Sequence, residues 1–456
     1  MKLNILITSL ILLLLTGCIT PKPTPVQNVK LPKSFSMTGT QKLQPKWWKV
    51  FEDSELNRLI EHALKSNLSL KATWERLNQA HAVAIKNGAS LYPSLSLSSE
   101  ASRVENGLNR NNFSAGVAAS YEIDLWGRIN NIADASLLEV KASKENLVSA
   151  SVSLSAEIAS TWYRLKEQHN HASLLKSQME INKKHLQLTE RKFRSAQAKV
   201  SDIIQQRQIV ESSKGEAILT NGRIKLLENQ LALLLGENAT TLKYLNSNDF
   251  TIATKLPKMN VASELLMQRP DVKVAYYKLQ ASNSRLASAV AEQYPKLTIS
   301  ASLSSTSLSA SDIFTNWLST LVANISAPLF DANMRKAEVQ RNEAQRDEKL
   351  YLYSNTLLNA LKEVEDFISK IQHQKRYLDS LTKQIELSSS SLEKLRQQYI
   401  HANTSFVSFL NAQLSLQGLQ RKQISASREL IENTISLHRA LASGWVLKQN
   451  KPLTRN

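Results

Sequence analysis

Two groups of side chains in this 456-residue sequence have types that could carry chemistry. His169 and His171 are two residues apart in a helical pattern, so they point about 200° away from each other and cannot share a metal ion. Glu363, Glu365 and Asp366 could form an acid–base cluster, but a helix with a heptad seam predicts solvated or pore-facing carboxylates. Neither a GxxxxGK(S/T) nor a GxGxxG motif occurs, and such motifs hold phosphates. We expect no enzyme, no metal site and two surface histidines.

The only cysteine, Cys18, is the remaining candidate nucleophile. It follows Lys2 and the apolar run Ile5–Leu15, a pattern typical of a signal peptide. Residues 15–18 read LTGC, which is similar to a bacterial lipobox and implies a lipid on Cys18 rather than a catalytic role. The alternative is an ordinary signal peptide with an incidental cysteine. Ile19, in place of Asp, favours the outer membrane by analogy. No other cofactor is expected.

Composition limits the class of protein further. The formal net charge is +18, but Lys and Arg are scattered and aromatic residues make up only 6%, so we expect solvated helix surfaces and no nucleic acid. After residue 20 no stretch reaches the roughly 18 apolar residues of a membrane helix. Any crossing of a bilayer would therefore use strands. Gly and Pro number only 11 each, which predicts long elements with few turns.

Four segments alternate apolar and polar residues, as in Phe113–Leu125, and predict strands. Their approximate ranges are 93–104, 113–126, 295–305 and 316–330. Strands of about 10 residues suit a tilted outer-membrane barrel. Four strands cannot close one, because the smallest single-chain barrels need about 8, and lipid does not tolerate open edges. Either the sheet is soluble and covered, or several copies each contribute four strands.

Two very long helices follow the strand pairs. Residues 128–194 and 335–399 contain neither Pro nor Gly, so each predicts a helix on the order of 100 Å. In the second, the apolar positions step by four and three residues, which is coiled-coil spacing; they are Leu357, Leu361, Val364, Ile368 and Ile371. Return arms are predicted at 201–235 and 405–442.

Shorter helices are predicted at 54–65 and 69–91. Ser54 is the predicted N-cap of the first, since a Ser hydroxyl can accept a bond from the first turn. Tyr92-Pro93 ends the second, because Pro removes a donor and restricts its predecessor.

The two halves of the chain repeat each other. With an offset of 202, Tyr92, Pro93 and Leu95 coincide with Tyr294, Pro295 and Leu297, which predicts a duplicated domain. The predicted organisation is a signal peptide (1–17), a lipidated tether (18–46), a first repeat (47–236), a linker (237–262), a second repeat (263–443) and a tail (444–456).

These residues resemble the TolC-like outer membrane factors of tripartite efflux systems, in particular the outer membrane efflux lipoproteins that serve resistance-nodulation-division pumps. The resemblance covers essentially the whole mature chain. It is carried by the lipobox at Cys18, Trp47-Trp48 with Phe51 and Leu56, YEIDLWGR at 121–128, Arg269-Pro270-Asp271, Tyr294-Pro295 and APLFDANMR at 327–335.

The resemblance implies a mainly α fold with transmembrane β-strands. It implies a homotrimer whose 12-stranded outer-membrane β-barrel continues into a 12-helix periplasmic α-barrel with a mixed equatorial domain. It implies a passive exit duct for drugs or other small toxic compounds, anchored in the outer membrane of a Gram-negative bacterium and extending into the periplasm. Its partners would be a periplasmic adaptor and an inner-membrane pump. The alternatives are a conduit for type I protein secretion and a lipid-anchored periplasmic scaffold.

In this family each tip of a helical hairpin resembles Tyr-x-x-Gly-x-x-Ser/Thr and docks to the adaptor. The resemblance therefore implies that the tips of this chain dock an adaptor. The corresponding residues here are Ala196, Val200, Ser201, Asp202, Ala402, Thr404 and Ser405. Both family glycines are alanines, at 196 and 402. Since small residues allow close approach of helices, we expect a mild departure that narrows the set of adaptors accepted. The alternative is that small residues merely permit a tight turn.

The resemblance also implies a constriction near the second tip. Family acids on the last long helix correspond by position to Ser408 and Asn411, so a carboxylate gate is not expected. Phe406 and Phe409 are candidates for an apolar constriction, with core packing as the alternative.

Overall fold

The computed structural model describes residues 31–39, 46–105, 110–238, 257, 262–401 and 403–441. The predicted signal peptide, Cys18, most of the tether and linker, Ala402 and the predicted tail lie outside the described residues. The elements are α1 (Ser54–Ser66), α2 (Leu68–Gly88), β1 (Ser94–Val104), β2 (Arg110–Ile123), α3 (Arg128–Arg194), α4 (Val200–Leu235), α5 (Ala262–Gln268), α6 (Pro270–Ala291), β3 (Lys296–Ser307), β4 (Trp317–Ser326), α7 (Met334–Ile400) and α8 (Phe406–Ala440). Among the described helices, none has the length and apolar character needed to cross a membrane.

The chain divides into two compact units, each built from several segments. The first, here called the strand unit, holds the sheet, most of α2 and of α6, and the ends of α3 and α7 that adjoin the strands. The second, here called the helix unit, holds α1, α4, α5, α8 and the remaining parts of α3 and α7. We call α3 with α4 the first hairpin and α7 with α8 the second hairpin.

The sheet of the strand unit has four antiparallel strands in the order β1-β2-β3-β4. Its register pairs Ser94 with Ser120, Ser120 with Ser300 and Lys296 with Ser326. Within the described residues, the outer edges of β1 and β4 carry no strand partner.

Two strands end earlier than their sequence pattern predicts. β2 stops at Ile123 rather than 126, because the Asp124 carboxylate accepts hydrogen bonds from the amides of Ile129 (3.1 Å) and Asn130 (2.7 Å) and so begins α3. β4 stops at Ser326 rather than 330, because residues 327–333 form a loop that enters α7.

The aromatic residue after β2 is held by the start of β3. Trp126 donates a hydrogen bond from Nε1 to the carbonyl of Pro295 (2.7 Å) and stacks on Tyr294, with ring centroids 4.9 Å apart. Gly127 follows with φ +74°, a left-handed conformation that favours glycine. This corner positions α3 at the end of β2.

The helix unit has an aromatic core where a short turn, Trp47–Phe51, packs beside α1 and α3. Trp48, Phe51 and Leu56 are buried here together with Trp162. Trp48, Phe51 and Leu56 are residues on which the resemblance rested, and the structure gives them a packing role.

The predicted N-cap of α1 is wrong by one residue. Asp53, not Ser54, caps the helix by accepting from the amide of Leu56 (3.0 Å). The same carboxylate accepts from Nε1 of Trp162 (2.9 Å) and Nζ of Lys166 (2.7 Å). Burial alone would raise the pKa of Asp53, but these hydrogen bonds outweigh it and hold the pKa below its usual value.

Candidate functional site at the hairpin tips

The first hairpin turns through a Schellman motif, a helix end in which two amides bond back to earlier carbonyls. The amide of Gln197 donates to the carbonyl of Lys192 (2.8 Å), and the amide of Ala196 donates to that of Phe193 (3.0 Å). These two bonds satisfy carbonyls that the end of α3 would otherwise leave unpaired.

Ala196 occupies the position of this motif that needs a left-handed backbone. Its φ is +59°, a conformation that costs a residue with a Cβ roughly 1–2 kcal/mol. This conformation supports the alternative that a small residue serves a tight turn, and close approach of helices at Ala196 stays a prediction. A glycine suits this position because of its backbone freedom, so alanine here is strained.

The second half of the first tip starts α4. The Asp202 carboxylate accepts from the amide of Lys199 (3.0 Å) and from the hydroxyl of Ser201 (3.3 Å). Ser201 is exposed, and Val200 exposes 54% of its surface. Val200 and Ser201 are thus accessible beside Asp202, whose carboxylate also stabilises the first turn of α4.

The second tip has a similar construction. The amide of Asn403 donates to the carbonyl of Gln398 (2.8 Å), as that of Gln197 does to Lys192 in the first tip. Ser405 is the N-cap of α8, since its hydroxyl accepts from the amide of Ser408 (3.2 Å). Ala402 lies outside the described residues.

The four candidate constriction residues divide into two pairs. Phe406 and Phe409 are 5% and 1% exposed and pack in one cluster with Tyr399. The rings of Tyr399 and Phe409 stack with centroids 5.2 Å apart. This burial favours the core alternative for both phenylalanines. Ser408 and Asn411 are exposed, and they stay as the candidates on an accessible face of α8.

A cation joins the tips of the two hairpins. Nζ of Lys192, on α3, donates to the carbonyls of Tyr399 (2.7 Å) and Ile400 (3.1 Å), the last residues of α7. The nitrogen also lies 4.7 Å from the centroid of the Tyr399 ring. A cation at the carbonyl end of a helix is stabilising, so the first hairpin caps the second.

A buried group of amides, here called the amide layer, lies further from the tips. The side-chain oxygen of Asn182 accepts from Nε2 of Gln413 (2.5 Å) and Gln417 (2.9 Å), and its nitrogen donates to Ser213 (3.0 Å). Gln206 donates to the backbone carbonyl of Asn182 (3.0 Å). The layer therefore joins α3, α4 and α8.

One histidine adjoins the amide layer. Nδ1 of His185 lies 2.5 Å from Oε1 of Gln413, and its ring meets Phe409 edge-on at 5.0 Å. Burial lowers the pKa of His185, which the bond to Gln413 opposes only in part. The imidazole is therefore kept neutral between the layer and the aromatic cluster.

Lys192, Asn182 and His185 were not predicted from the sequence. Basic residues in the last turn of α3 are an ordinary C-terminal signal, and nothing in the sequence indicates that one of them caps another helix. Asn and Gln at seam positions are a recognisable signal for a register device, but Gln413 and Gln417, which bond to Asn182, are more than two hundred residues away from it.

The histidines and carboxylates first considered have structural contacts. The histidines are half-buried rather than at the surface, and His171 lies 3.1 Å from Ser425 and 3.6 Å from Glu167. Glu363 is not simply solvated, because it accepts from Arg269 (2.7 Å) and Arg439 (2.8 Å).

The two remaining carboxylates also have partners. Glu365 accepts from the amide of Ser36 (2.9 Å), and Asp366 pairs with Lys362 (2.5 Å). In the part of the chain that the structure describes, no cluster of three or more His, Cys, Asp or Glu could hold a metal ion.

Comparison with known proteins places these features in a family. A family model described as "Outer membrane efflux protein" matches residues 59–237 and 261–443. The pyoverdine export outer membrane protein OpmQ of Pseudomonas putida is 28% identical over 94% of this chain and 95% of its own. The probable outer membrane lipoprotein SilC of Salmonella typhimurium is 27% identical over 98% and 99%. The cation efflux system protein CusC of Escherichia coli is 25% identical over 95% and 97%.

Solved structures share the fold. The outer-membrane channel OprN superposes with a TM-score of 0.87 at 23% identity, covering 94% of this chain and all of that one. A structure of CusC superposes with a TM-score of 0.84 at 23% identity, covering 91% and 97%.

Proposed function

Because this chain belongs to the outer membrane efflux protein family, we propose that three copies of it form the exit duct of a tripartite efflux system. The family comprises outer-membrane transport channels, not enzymes, and the chain is accordingly an outer-membrane efflux channel. Efflux channels of this kind work with an adaptor and an inner-membrane pump.

The observation that carries the trimer is the four-stranded sheet with both outer edges unpaired among the described residues. In lipid, unpaired backbone groups cost several kcal/mol each, so a membrane sheet must close on itself. Three copies give twelve strands, which is within the range of closed outer-membrane barrels. The same three copies bring twelve long helices together as a periplasmic α-barrel. A lipid on Cys18, outside the described residues, would add an anchor.

The proposed cargo is small molecules. The relatives are named for export of pyoverdine, cations, toluene and solvents, and these share small size rather than chemistry. Selection of the cargo would therefore be a property of the pump, and the duct would be passive. The adaptor would dock at the hairpin tips, where Val200, Ser201, Thr404 and Ser405 lie close to the turns.

The cellular test is deletion of this chain from a strain in which the partner pump is expressed. We expect greater sensitivity to several drugs or detergents, restored by the gene in trans. Unchanged sensitivity across a broad panel, together with loss of a secreted protein, would favour a type I secretion conduit instead.

The molecular test is electron microscopy of the purified protein in detergent. We expect threefold particles with a tube on the order of 100 Å, the rise of the long helices. A monomer or a solid helical rod would overturn the duct and favour a lipid-anchored scaffold.

The proposed constriction is lined by Ser408 and Asn411, each present three times in the trimer. In an Asn411→Cys variant, a bulky thiol reagent should block export while a small one should not. The matched control is Ser380→Cys on α7, distant in sequence from the tips. An Asn411→Cys variant whose export the bulky reagent leaves unchanged would remove Asn411 from the path.

A further inference from the structure

We infer that β4 of one copy pairs with β1 of the next in a single register, which places Ser326 opposite Ser98 and Leu329 opposite Leu95. The inference rests on the proposed trimer and adds the register of the contact and the residues that make it. The partner is a second copy of this chain.

The two strand pairs of the chain are equivalent in detail. Ser94 of β1 corresponds to Lys296 of β3 at the offset of 202 that relates Tyr92 to Tyr294. Their partners across each hairpin are Ser120 and Ser326, so Ser120 of β2 corresponds to Ser326 of β4, 206 residues later.

The entries to the long helices confirm this second correspondence independently. Gly127, with φ +74°, stands directly before α3, and Asn333, with φ +67°, stands directly before α7. They too are 206 residues apart. The strand pairs β1–β2 and β3–β4 thus repeat with the same internal register. The second pair has additional residues, and these lie between β3 and β4.

The seam between β2 and β3 joins the two repeats inside one chain and gives the register between copies. In this seam Ser120 lies opposite Ser300, and Ile123 lies opposite Leu297. In the other repeat, Ser326 corresponds to Ser120 and Ser98 corresponds to Ser300. Likewise, Leu329 corresponds to Ile123 and Leu95 corresponds to Leu297. A symmetric ring of repeats must join copies as it joins repeats, because each β2–β3 seam is followed by a β4–β1 seam.

This register pairs two apolar residues that are exposed in a single copy. Leu329 exposes 97% of its surface and Leu95 exposes 75%, and the register makes them a cross-strand pair. It also extends β4 through residues 327–330, where the alternating pattern predicts strand and the single copy has a loop. The neighbouring copy supplies the missing partner strand.

Disulfide formation between introduced cysteines tests the register in outer membranes that contain the full chain. Three double variants share Ser326→Cys and differ in the β1 position: Ser96→Cys, Ser98→Cys or Glu100→Cys. All three β1 positions lie on one face of the strand. Ser96 and Glu100 each lie two residues from Ser98, so they test registers shifted by two residues in either direction. Directly opposite Cα atoms are about 4.5–5.5 Å apart, within disulfide reach, whereas shifted ones are about 7–8 Å apart.

With a copper–phenanthroline oxidant, we expect Ser98→Cys with Ser326→Cys to give covalent dimers and trimers about tenfold faster than either shifted pair. Leu95→Cys with Leu329→Cys should cross-link as well, since it tests the extension of β4. The unaltered chain and the Ser326→Cys single variant are blanks. Ser120→Cys with Ser300→Cys, inside one copy, shows that the oxidant reaches a seam of this kind.

The outcomes separate this inference from the proposed function. A native trimer that cross-links fastest through a shifted pair, or through none, overturns the register and leaves the trimeric duct intact. If only the pair Leu95→Cys with Leu329→Cys does not cross-link, the extension of β4 is overturned. A native mass of one copy overturns the trimer and the register together.

Discussion

Lys192 of the first hairpin donates a hydrogen bond of 2.7 Å to the backbone carbonyl of Tyr399 at the end of the second. Lys192 is 7% exposed, and its amine places a charge where the last carbonyls of α7 carry the negative end of the helix dipole. The order of the second tip therefore depends on a side chain from the first.

Replacement of Lys192 by Met should loosen the end of α7. The variant keeps the apolar stem but removes the donor from the carbonyls of Tyr399 and Ile400, at a cost of about 1–2 kcal/mol. Hydrogen exchange of residues 396–401 should accelerate by roughly tenfold, as expected for about 1.4 kcal/mol. Lys183→Met on the same helix, where the exposed amine pairs with Glu180, should leave that exchange unchanged. Equal effects of both variants would contradict the cap.

Ala196→Gly should stabilise the first tip. The left-handed backbone at φ +59° strains alanine, and relief of that strain is worth about 1 kcal/mol. The reverse change, Gly236→Ala, should destabilise, because φ is +72° there and a Cβ would lie 2.8 Å from the carbonyl oxygen of Ser66. Thermal unfolding by circular dichroism should move in opposite directions for the two variants. A lower midpoint for Ala196→Gly would show that its backbone is not strained.

Asp53→Asn should destabilise the aromatic core. The change removes the charge that pairs with buried Lys166 and leaves that ammonium uncompensated, at a cost of about 3 kcal/mol. Glu61→Gln breaks an exposed ion pair with Lys46, which should cost under about 1 kcal/mol. Urea unfolding monitored by tryptophan fluorescence compares them. Comparable losses would indicate that the Asp53 pair contributes no more than a surface pair.

His438 should make the protein less stable in acid. Its ring is 3% exposed, stacks on Trp47 at 5.9 Å and has no hydrogen-bond partner among the described residues. Burial lowers its pKa from 6.5 to about 4. The unfolded chain therefore binds a proton that the folded chain does not, and stability falls as pH drops from 6.5 towards 4.

The matched variant is His438→Phe, which keeps the stacking and cannot titrate. Relative to the original chain, its free energy of unfolding should rise by about 3 kcal/mol between pH 7 and pH 4. Urea unfolding at several pH values measures this difference. A constant difference across the range would show that His438 does not titrate in this core.

Periodicity predicted the long elements well because each has many equivalent residues. Helices α3 and α7 span Arg128–Arg194 and Met334–Ile400, close to their predicted ranges, since sixty or so residues without Pro or Gly leave no other regular structure. The ends were harder to predict. Asp53 and Ser54 are both good caps, and only the surrounding Trp162 and Lys166 decide between them.

The tips were predicted in position but not in mechanism. The family pattern located Ala196, yet its left-handed backbone is a property of the Schellman motif and not of residue type. Phe406 and Phe409 are apolar on any reading of the sequence; their burial against Tyr399 depends on how four helices pack. Lys192 required the arrangement of both hairpins in space.

The amide layer fixes how far any movement of the tips can reach. A slide of α8 along α3 by one turn, about 5.4 Å, would bring one of Gln413 and Gln417 to the place of the other and remove the second from Asn182, at about 1–3 kcal/mol for each unpaired group. The amide layer therefore opposes sliding of α8 along α3. The helix from Asn182 to Arg194 rises about 18 Å, so any opening of the proposed constriction would be confined to this short segment and would leave the length of the long helices unchanged.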